Sequence, residues 1–263
     1  MKPNAFRTAV AEGRIPLGHL IWEFGTRGIA KIVEAAGADF VLLDMEHSAF
    51  GVERVADILE WFQCTRVAPI VRVPQRIYHF LARAMDAGAM GVMVANVETA
   101  EEAREVVGAV KYAPMGHRGL GFGTAHTGFR RPDPVAYMQE ANANTTVICM
   151  IESPTGLEHV DQIARTDGVD VLWVGHYDLT QSLGIPGQFE HPRFVEALRQ
   201  VVVAANHAGK VAGINPGTPE QAQQWIGMGF RAISWSTDIA VYGTALSSAI
   251  TAVRAMTTSG EGS

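Results

Sequence analysis

The chain alternates short apolar runs with longer stretches of helical period, and it does so eight times. Continuous runs rich in Val, Ile and Leu are typical of parallel strands that are buried on both faces. The predicted strands are Leu17–Trp22, Phe40–Asp44, Ala68–Val73, Gly91–Ala95, Thr146–Ile151, Val171–Val174, Val211–Ile214 and Ala232–Ser236. Helices are predicted at Gly28–Ala36, Val52–Phe62, Ile77–Ala87, Ala100–Val110, Gly156–Thr166, Pro192–Ala208, Pro219–Met228 and about Ala240–Met256.

Eight βα units in 263 residues predict one α/β domain over residues 1–263, a (β/α)8 TIM barrel. The alternative is a doubly wound open sheet, which would carry a glycine-rich phosphate loop after its first strand. The stretch Gly25–Gly28 does not match that loop. The tail from about Thr257 to Ser263 is polar, and we expect it to be flexible.

The overall charge and hydropathy exclude several classes of partner. A formal net charge of −6, with no basic run, argues against nucleic acid. We see no apolar stretch of bilayer length and no apolar core of a signal peptide in Met1–Gly13, so we expect a cytoplasmic protein without a membrane partner. The two cysteines, Cys64 and Cys149, stand among apolar neighbours and are expected to be buried and inert.

The polar residues that follow the predicted strands locate the active site. In these barrels catalytic groups lie at the carboxyl ends of the strands. Such residues follow four strands here: Asp44, Glu46 and His47 after the second, Arg72 in the third, Glu152 after the fifth and Asp178 after the sixth. We therefore expect acidic groups, a histidine and an arginine to converge at one mouth.

Glu152 and Asp178 are the candidate metal ligands. They follow neighbouring strands, and a carboxylate in this position is costly unless it is paired or bound to a metal. Two carboxylates with water suit a divalent ion such as Mg²⁺, Mn²⁺ or Co²⁺, and the His/Cys pattern of zinc sites is absent from the sequence. The structural alternative is that each caps the helix that follows it.

The other candidates also have structural alternatives. Arg72 could serve only as an ion-pair partner of Asp44 or Glu46. His47 could be a solvated loop residue. These alternatives weaken when the residues are taken together, because all of them fall at the same end of the predicted strands.

Several motifs in combination resemble the HpcH/HpaI aldolase family. They are Asp44-x-Glu46-His47, Val71-Arg72, Tyr112-x-Pro114-x-Gly116-x-Arg118-Gly119, Ile151-Glu152 and Gly175-x-x-Asp178-Leu179. The resemblance runs from Gly18 to about Tyr242. It implies a barrel of the phosphoenolpyruvate/pyruvate type and a class II, metal-dependent aldolase. Such an enzyme reversibly cleaves a 4-hydroxy-2-oxo acid into pyruvate, or hydroxypyruvate, and an aldehyde.

The resemblance also implies residue roles. Glu152 and Asp178 would hold the divalent ion. His47, oriented by Asp44, would move protons, and Arg72 would bind the substrate carbonyl and its enolate. The backbone amides of Tyr177 and Asp178 would bind the oxo-acid carboxylate. Asp86 would reach the active site of a neighbouring subunit, which implies an oligomer, with a hexamer as the expected form. Apart from the resemblance, Trp22 ends the first predicted strand and could form a wall of the acceptor pocket, with packing in the core as its structural alternative.

The chain departs from the family pattern in two motifs, and both departures bear on substrate choice. Met150 stands where the family often has glutamine, and a thioether cannot donate a hydrogen bond. His176 and Tyr177 replace an apolar rim. Two other functions stay open: a lyase acting on acyl-CoA thioesters, as malyl-CoA and citryl-CoA lyases do, and a barrel that binds a metabolite without catalysis. The thioester lyase would need a cluster of basic residues for the nucleotide of its substrate. The non-catalytic barrel would be expected to have lost a metal ligand or the His/Arg pair.

Overall fold

The computed structural model describes residues 1–258 and contains a closed barrel of eight parallel strands in sequence order. The predicted fold is therefore confirmed, and strand bounds differ from the prediction by one residue at most. The strands are β1 Leu17–Ile21, β2 Phe40–Asp44, β3 Ala68–Val73, β4 Gly91–Val94, β5 Thr146–Ile151, β6 Val171–Val174, β7 Val211–Ile214 and β8 Ala232–Thr237.

The helices surround the barrel. They are α1 Ala5–Ala11, α2 Ile29–Ala35, α3 Val52–Gln63, α4 Tyr78–Asp86, α5 Ala100–Val110, α6 Pro134–Asn144, α7 Pro154–Glu158, α8 Val160–Ala164, α9 His176–Ser182, α10 Pro192–His207, α11 Pro219–Met228 and α12 Asp238–Thr258. The prediction omitted α1, α6 and α9, and it joined α7 and α8 into one helix. The short helices α1 and α9 offer too few turns for a periodic pattern to stand out.

The barrel interior is filled by side chains and is not a channel. Alternate residues of the strands, among them Leu42, Ile70 and Ile148, form one buried interior cluster. Two glycines make room for rings: a Cβ on Gly213 would overlap the indole of Trp173, and one on Gly18 would overlap the ring of Phe40. This packing closes the lower barrel, so polar groups can meet only at its upper mouth.

Helix α12 differs from the other long helices because it is exposed along its length. The segment Asp238–Thr257 is long and apolar enough to cross a membrane, and its residues beyond the buried Asp238 are exposed. The expectation that no segment has bilayer length was therefore wrong by this criterion. Of the predicted flexible tail, Thr257 and Thr258 belong to α12, and the remainder lies outside the described residues.

One of the two cysteines is placed as predicted. Cys149 is buried in β5, where desolvation raises the pKa of its thiol to about 12. Cys64 is exposed, which corrects the prediction. It stands at the end of α3, where the backbone leaves the helix and turns the side chain away from the core.

Candidate active site

Arg72, Asp44 and Glu46 form an ion-paired network at the ends of β2 and β3. The register pairs Asp44 directly with Arg72. The Arg72 Nε donates to Asp44 Oδ1 at 2.8 Å, a second guanidinium nitrogen donates to Asp44 Oδ2, and a third lies 3.2 Å from a Glu46 carboxylate oxygen. Asp44 is fully buried and Arg72 nearly so. The bidentate geometry holds the guanidinium rigidly and leaves donors for a further partner.

His47 lies at the rim of the mouth and is exposed. Its ring meets the indole of Trp22 edge to face, with centroids 6.4 Å apart. The predicted orientation by Asp44 is not seen, since within residues 1–258 no hydrogen bond joins the two side chains. The physical reason is competition: both Asp44 oxygens accept from Arg72, and Oδ1 also accepts from the backbone of Glu46.

Glu152 is buried directly beyond β5, and the backbone around it is shaped to receive its carboxylate. Its Oε1 accepts from the Asn96 N–H at 2.6 Å. Asn96 itself adopts a left-handed conformation with φ 51°. A Cβ on Gly175 would overlap Glu152 Oε2. The helix that follows is capped by Ser153, whose side chain accepts from the Gly156 N–H, so Glu152 is not its cap.

Asp178 lies in the first turn of α9, close enough to Glu152 for the two carboxylates to repel each other. The N-cap of α9 is Gly175, so Asp178 is not the cap either. Burial first of all, together with the nearby Glu46 and Asp178 carboxylates, raises the pKa of Glu152 to about 7, against the opposing effects of the Asn96 N–H and Arg72. Burial likewise raises the pKa of Glu46. Arg72 compensates this acidic cluster only in part.

The donor set fits a hard divalent cation. Carboxylate oxygens are the preferred ligands of such ions, and a divalent charge would relieve the repulsion that raises the Glu152 pKa. Within the described chain, no group of three or more His, Cys, Asp or Glu side chains is arranged to hold a metal. Glu152 and Asp178 would therefore need water or substrate oxygens to complete the coordination, as an open catalytic site requires.

The departures from the family pattern occupy different environments. Met150 is buried in the barrel interior beneath the mouth. Tyr177 is 64% exposed at the rim. The ring of His176 instead packs among Tyr177, Phe189 and Trp225, with centroids 4.7 to 5.6 Å away, and burial lowers its pKa to about 4. His176 is thus a packing residue and not part of the mouth.

Asp86 is not brought to this site. It is the last residue of α4, and the helices of this barrel end at the face opposite the mouth. There it lies 2.5 Å from an Arg118 guanidinium nitrogen. Within one chain Asp86 cannot contact the substrate bound by Arg72, so any catalytic role would have to be in another subunit.

Two positioning residues escaped the sequence analysis. The buried Asp238 carboxylate accepts from the N–H groups of Trp22, Glu23 and Phe24 at 2.7 to 3.0 Å, which fixes the loop after β1. Asn96, which donates to Glu152, is the other. Asn96 directly follows a predicted strand and Asp238 comes two residues after another, which is the signal that located the other candidates, but their hydrogen bonds join residues far apart in sequence.

The mouth of this barrel can therefore hold a cation on one side and a fixed guanidinium on the other. A family model described as HpcH/HpaI aldolase/citrate lyase matches residues 24–245. The chain belongs to this family. The family assignment, made first from motifs, is thus confirmed over most of the chain.

Named relatives agree with this assignment. A 2-dehydro-3,6-dideoxy-6-sulfogluconate aldolase of Pseudomonas putida is 36% identical over 86% of this chain and 88% of its own length. A hydroxypyruvate/pyruvate aldolase of Roseobacter denitrificans is 33% identical over 90% and 92%. The crystal structure of an HpcH/HpaI aldolase from Desulfitobacterium hafniense superposes with a TM-score of 0.90 at 29% identity, covering 94% of this chain and 96% of that one. The protein is an aldolase, a carbon–carbon lyase.

Proposed function

We propose that this aldolase uses a divalent metal ion to cleave a 4-hydroxy-2-oxo acid reversibly into pyruvate, or hydroxypyruvate, and an aldehyde. The observation that carries the proposal is the partly uncompensated pair Glu152 and Asp178, facing the rigid Arg72 guanidinium at one mouth. Mg²⁺, Mn²⁺ and Co²⁺ all suit these two carboxylates. Two of the relatives are themselves named for pyruvate or for 2-dehydro sugar acids.

Glu152 and Asp178 would hold the ion, which when bound supplies positive charge against the negative charge of an enolate. Arg72 donates to the substrate carbonyl oxygen, where that negative charge develops. Because Asp44 and Glu46 already fix its guanidinium, little reorganisation accompanies the reaction. The backbone amides of Tyr177 and Asp178, in the first turn of α9, lack intrahelical acceptors and bind the oxo-acid carboxylate.

His47 moves the proton in this proposal. In the synthetic direction a proton leaves C3 of the oxo acid, the C3 electron pair attacks the aldehyde carbon, and the new alkoxide takes up a proton. A histidine can accept and return protons in this way, directly or through water. Its exposure at the rim gives it access to water, and the edge of Trp22 limits its rotation and forms a wall of the acceptor pocket.

We also propose that the enzyme is a cytoplasmic oligomer, with a hexamer as the form that the family resemblance implies. Helix α12 supports this proposal because it exposes apolar side chains along its length; they include Ile239, Val241, Leu246, Ile250 and Val253. Monomeric proteins rarely leave such a surface uncovered. Another subunit could cover α12 and bring Asp86 to a neighbouring active site. Light scattering of detergent-free protein separates this arrangement from a membrane anchor.

Proton exchange at C3 of pyruvate tests the function without a choice of aldehyde. Exchange in D2O is followed by NMR with added Mg²⁺ or Mn²⁺, and with EDTA as the metal-free control. We expect metal-dependent exchange that is lost in Glu152→Gln and in His47→Asn. The matched control is His207→Asn, at the end of the outer helix α10, which should exchange normally. No exchange by the wild type, with pyruvate or hydroxypyruvate, would contradict the proposal.

A further inference from the structure

Asn215 is a polar residue at the active-site floor to which no role has yet been given. It directly follows β7 in the stretch Gly213-Ile214-Asn215-Pro216. Side chains alternate between the two faces of a strand, so Asn215 shares the interior face with Gly213, against which Trp173 packs. Its side chain therefore points toward the barrel axis, just above the packed interior.

The strand registers place Asn215 across the barrel from Arg72. Arg72 of β3 is in register with Ile148 of β5, through β4. Met150 of β5 is in register with Gly213 of β7, through β6. The tilt of the strands advances an interior layer by about two residues over two strands. Arg72, Met150 and Asn215 consequently belong to one layer, contributed by alternate strands.

The oxygen of the Asn215 carboxamide lacks a partner. Its Oδ1 is buried and accepts no hydrogen bond from any described residue. An unsatisfied buried acceptor costs free energy, and native proteins fill such positions with water or ligand. Met150, its neighbour in the layer, offers no N–H or O–H donor. The missing donor must therefore come from something bound at the mouth.

A second buried oxygen lies beside it. Ile214 pairs with Ile233, so Asn215 and Ser234 follow as the next positions on the interior faces of β7 and β8. Ser234 Oγ is likewise buried without a partner. Ser234 is fully buried, whereas Asn215 is only half-buried, so of these two side chains only that of Asn215 is also exposed in part.

We propose that Asn215 binds a hydroxyl group of the substrate, next to the bond that is made or broken. The substrate class is then hydroxylated: an α-hydroxyaldehyde as acceptor, or hydroxypyruvate as donor. The hydroxyl donates to the buried Oδ1, opposite the carbonyl that Arg72 binds. This inference rests on the proposed aldolase function and adds to it a preference among its substrates.

The test compares substrates that differ by one hydroxyl. One arm uses pyruvate with glycolaldehyde and with acetaldehyde; the other uses hydroxypyruvate and pyruvate with the same aldehyde. Asn215→Leu keeps the branched shape and the number of heavy atoms of the side chain and removes the amide. In each arm the measured quantity is kcat/KM for the substrate with the hydroxyl divided by kcat/KM for the substrate without it. We expect Asn215→Leu to lower this ratio by about tenfold in one arm, and that arm identifies the hydroxyl that Asn215 binds. Asn215→Thr, which restores an oxygen acceptor, should recover part of the ratio.

The matched control is Ser234→Ala on the neighbouring strand, which should change neither ratio by more than about twofold. Asn215→Leu lowering all four reactions equally would show a structural role and overturn the proposal. So would a Ser234→Ala effect as large as that of Asn215→Leu. Unchanged ratios in an enzyme that still exchanges C3 protons would overturn the role of Asn215 alone. Absence of exchange in the wild type would overturn the aldolase function and this proposal together.

Discussion

The two sides of the mouth are built on opposite electrostatic principles. At β2 and β3, the buried Asp44 carboxylate is fully paired with Arg72 and is complete without ligand. At β5 and β6, Glu152 accepts one backbone hydrogen bond and faces other carboxylates, and its pKa is raised to about 7. A side that is already paired is rigid before substrate arrives. A side that is charged and unpaired is stabilised only when a cation binds.

Removing Arg72 should have the largest effect on stability. Arg72→Met leaves the fully buried Asp44 carboxylate unpaired, so we expect the free energy of unfolding to fall by about 3 to 5 kcal/mol. Urea denaturation measures this loss. The control is Arg54→Met, which removes an exposed ion pair with Asp57 at 3.9 Å and should cost less than about 1 kcal/mol. Equal losses in the two variants would contradict the described contrast between the sides.

Removing Glu152 should instead act on metal and catalysis. Glu152→Gln keeps the shape but loses a metal ligand, so we expect Mn²⁺ binding to be lost in calorimetry and kcat for aldol cleavage to fall about a thousandfold. Without metal, the variant should be at least as stable as the wild type, because a repelled buried charge is gone. Glu158→Gln, on the exposed side of α7, is the control. A destabilised Glu152→Gln variant that still binds Mn²⁺ would disprove this assignment.

The pH dependence of stability should distinguish the two sides in metal-free protein. Glu152 has a folded-state pKa of about 7 and an unfolded value of 4.5, so the folded state holds its proton more tightly. Its contribution is fully present below pH 4.5 and is lost as pH rises to about 7, by about 3 kcal/mol. Urea titrations in EDTA should show this component in the wild type and not in Glu152→Gln. Saturating Mn²⁺ should abolish it.

His176 should have the smallest effect, although it is two residues from Asp178. We expect His176→Phe to keep kcat/KM within about twofold, because the ring packs against Phe189 and Trp225 and not in the mouth. The wild-type ring has its pKa lowered from 6.5 to about 4, so its stabilising contribution is lost as pH falls through that range. Between pH 7 and pH 4.5, the free energy of unfolding should therefore fall by about 2 kcal/mol less in His176→Phe than in the wild type. A large loss of activity would place His176 in the site.

The sequence alone was sufficient for the barrel and for which residues share its mouth. Strands buried on both faces leave an apolar pattern that is visible residue by residue, as in Phe40–Asp44 and Val171–Val174. Parallel strands then carry whatever follows them to a common end, so Glu152 and Arg72 could be placed together without coordinates. Family membership followed from the same positions.

Only the tertiary structure decided how those residues are paired. Asp44 could have oriented His47 or held Arg72, and the register that sets Asp44 beside Arg72 selected the second. The exposure of Cys64, the packing role of His176 and the unpartnered amide oxygen of Asn215 likewise depend on neighbours distant in sequence. A local pattern records whether a residue is on a buried face. It does not record which atom lies opposite, because that depends on how all eight strands close together.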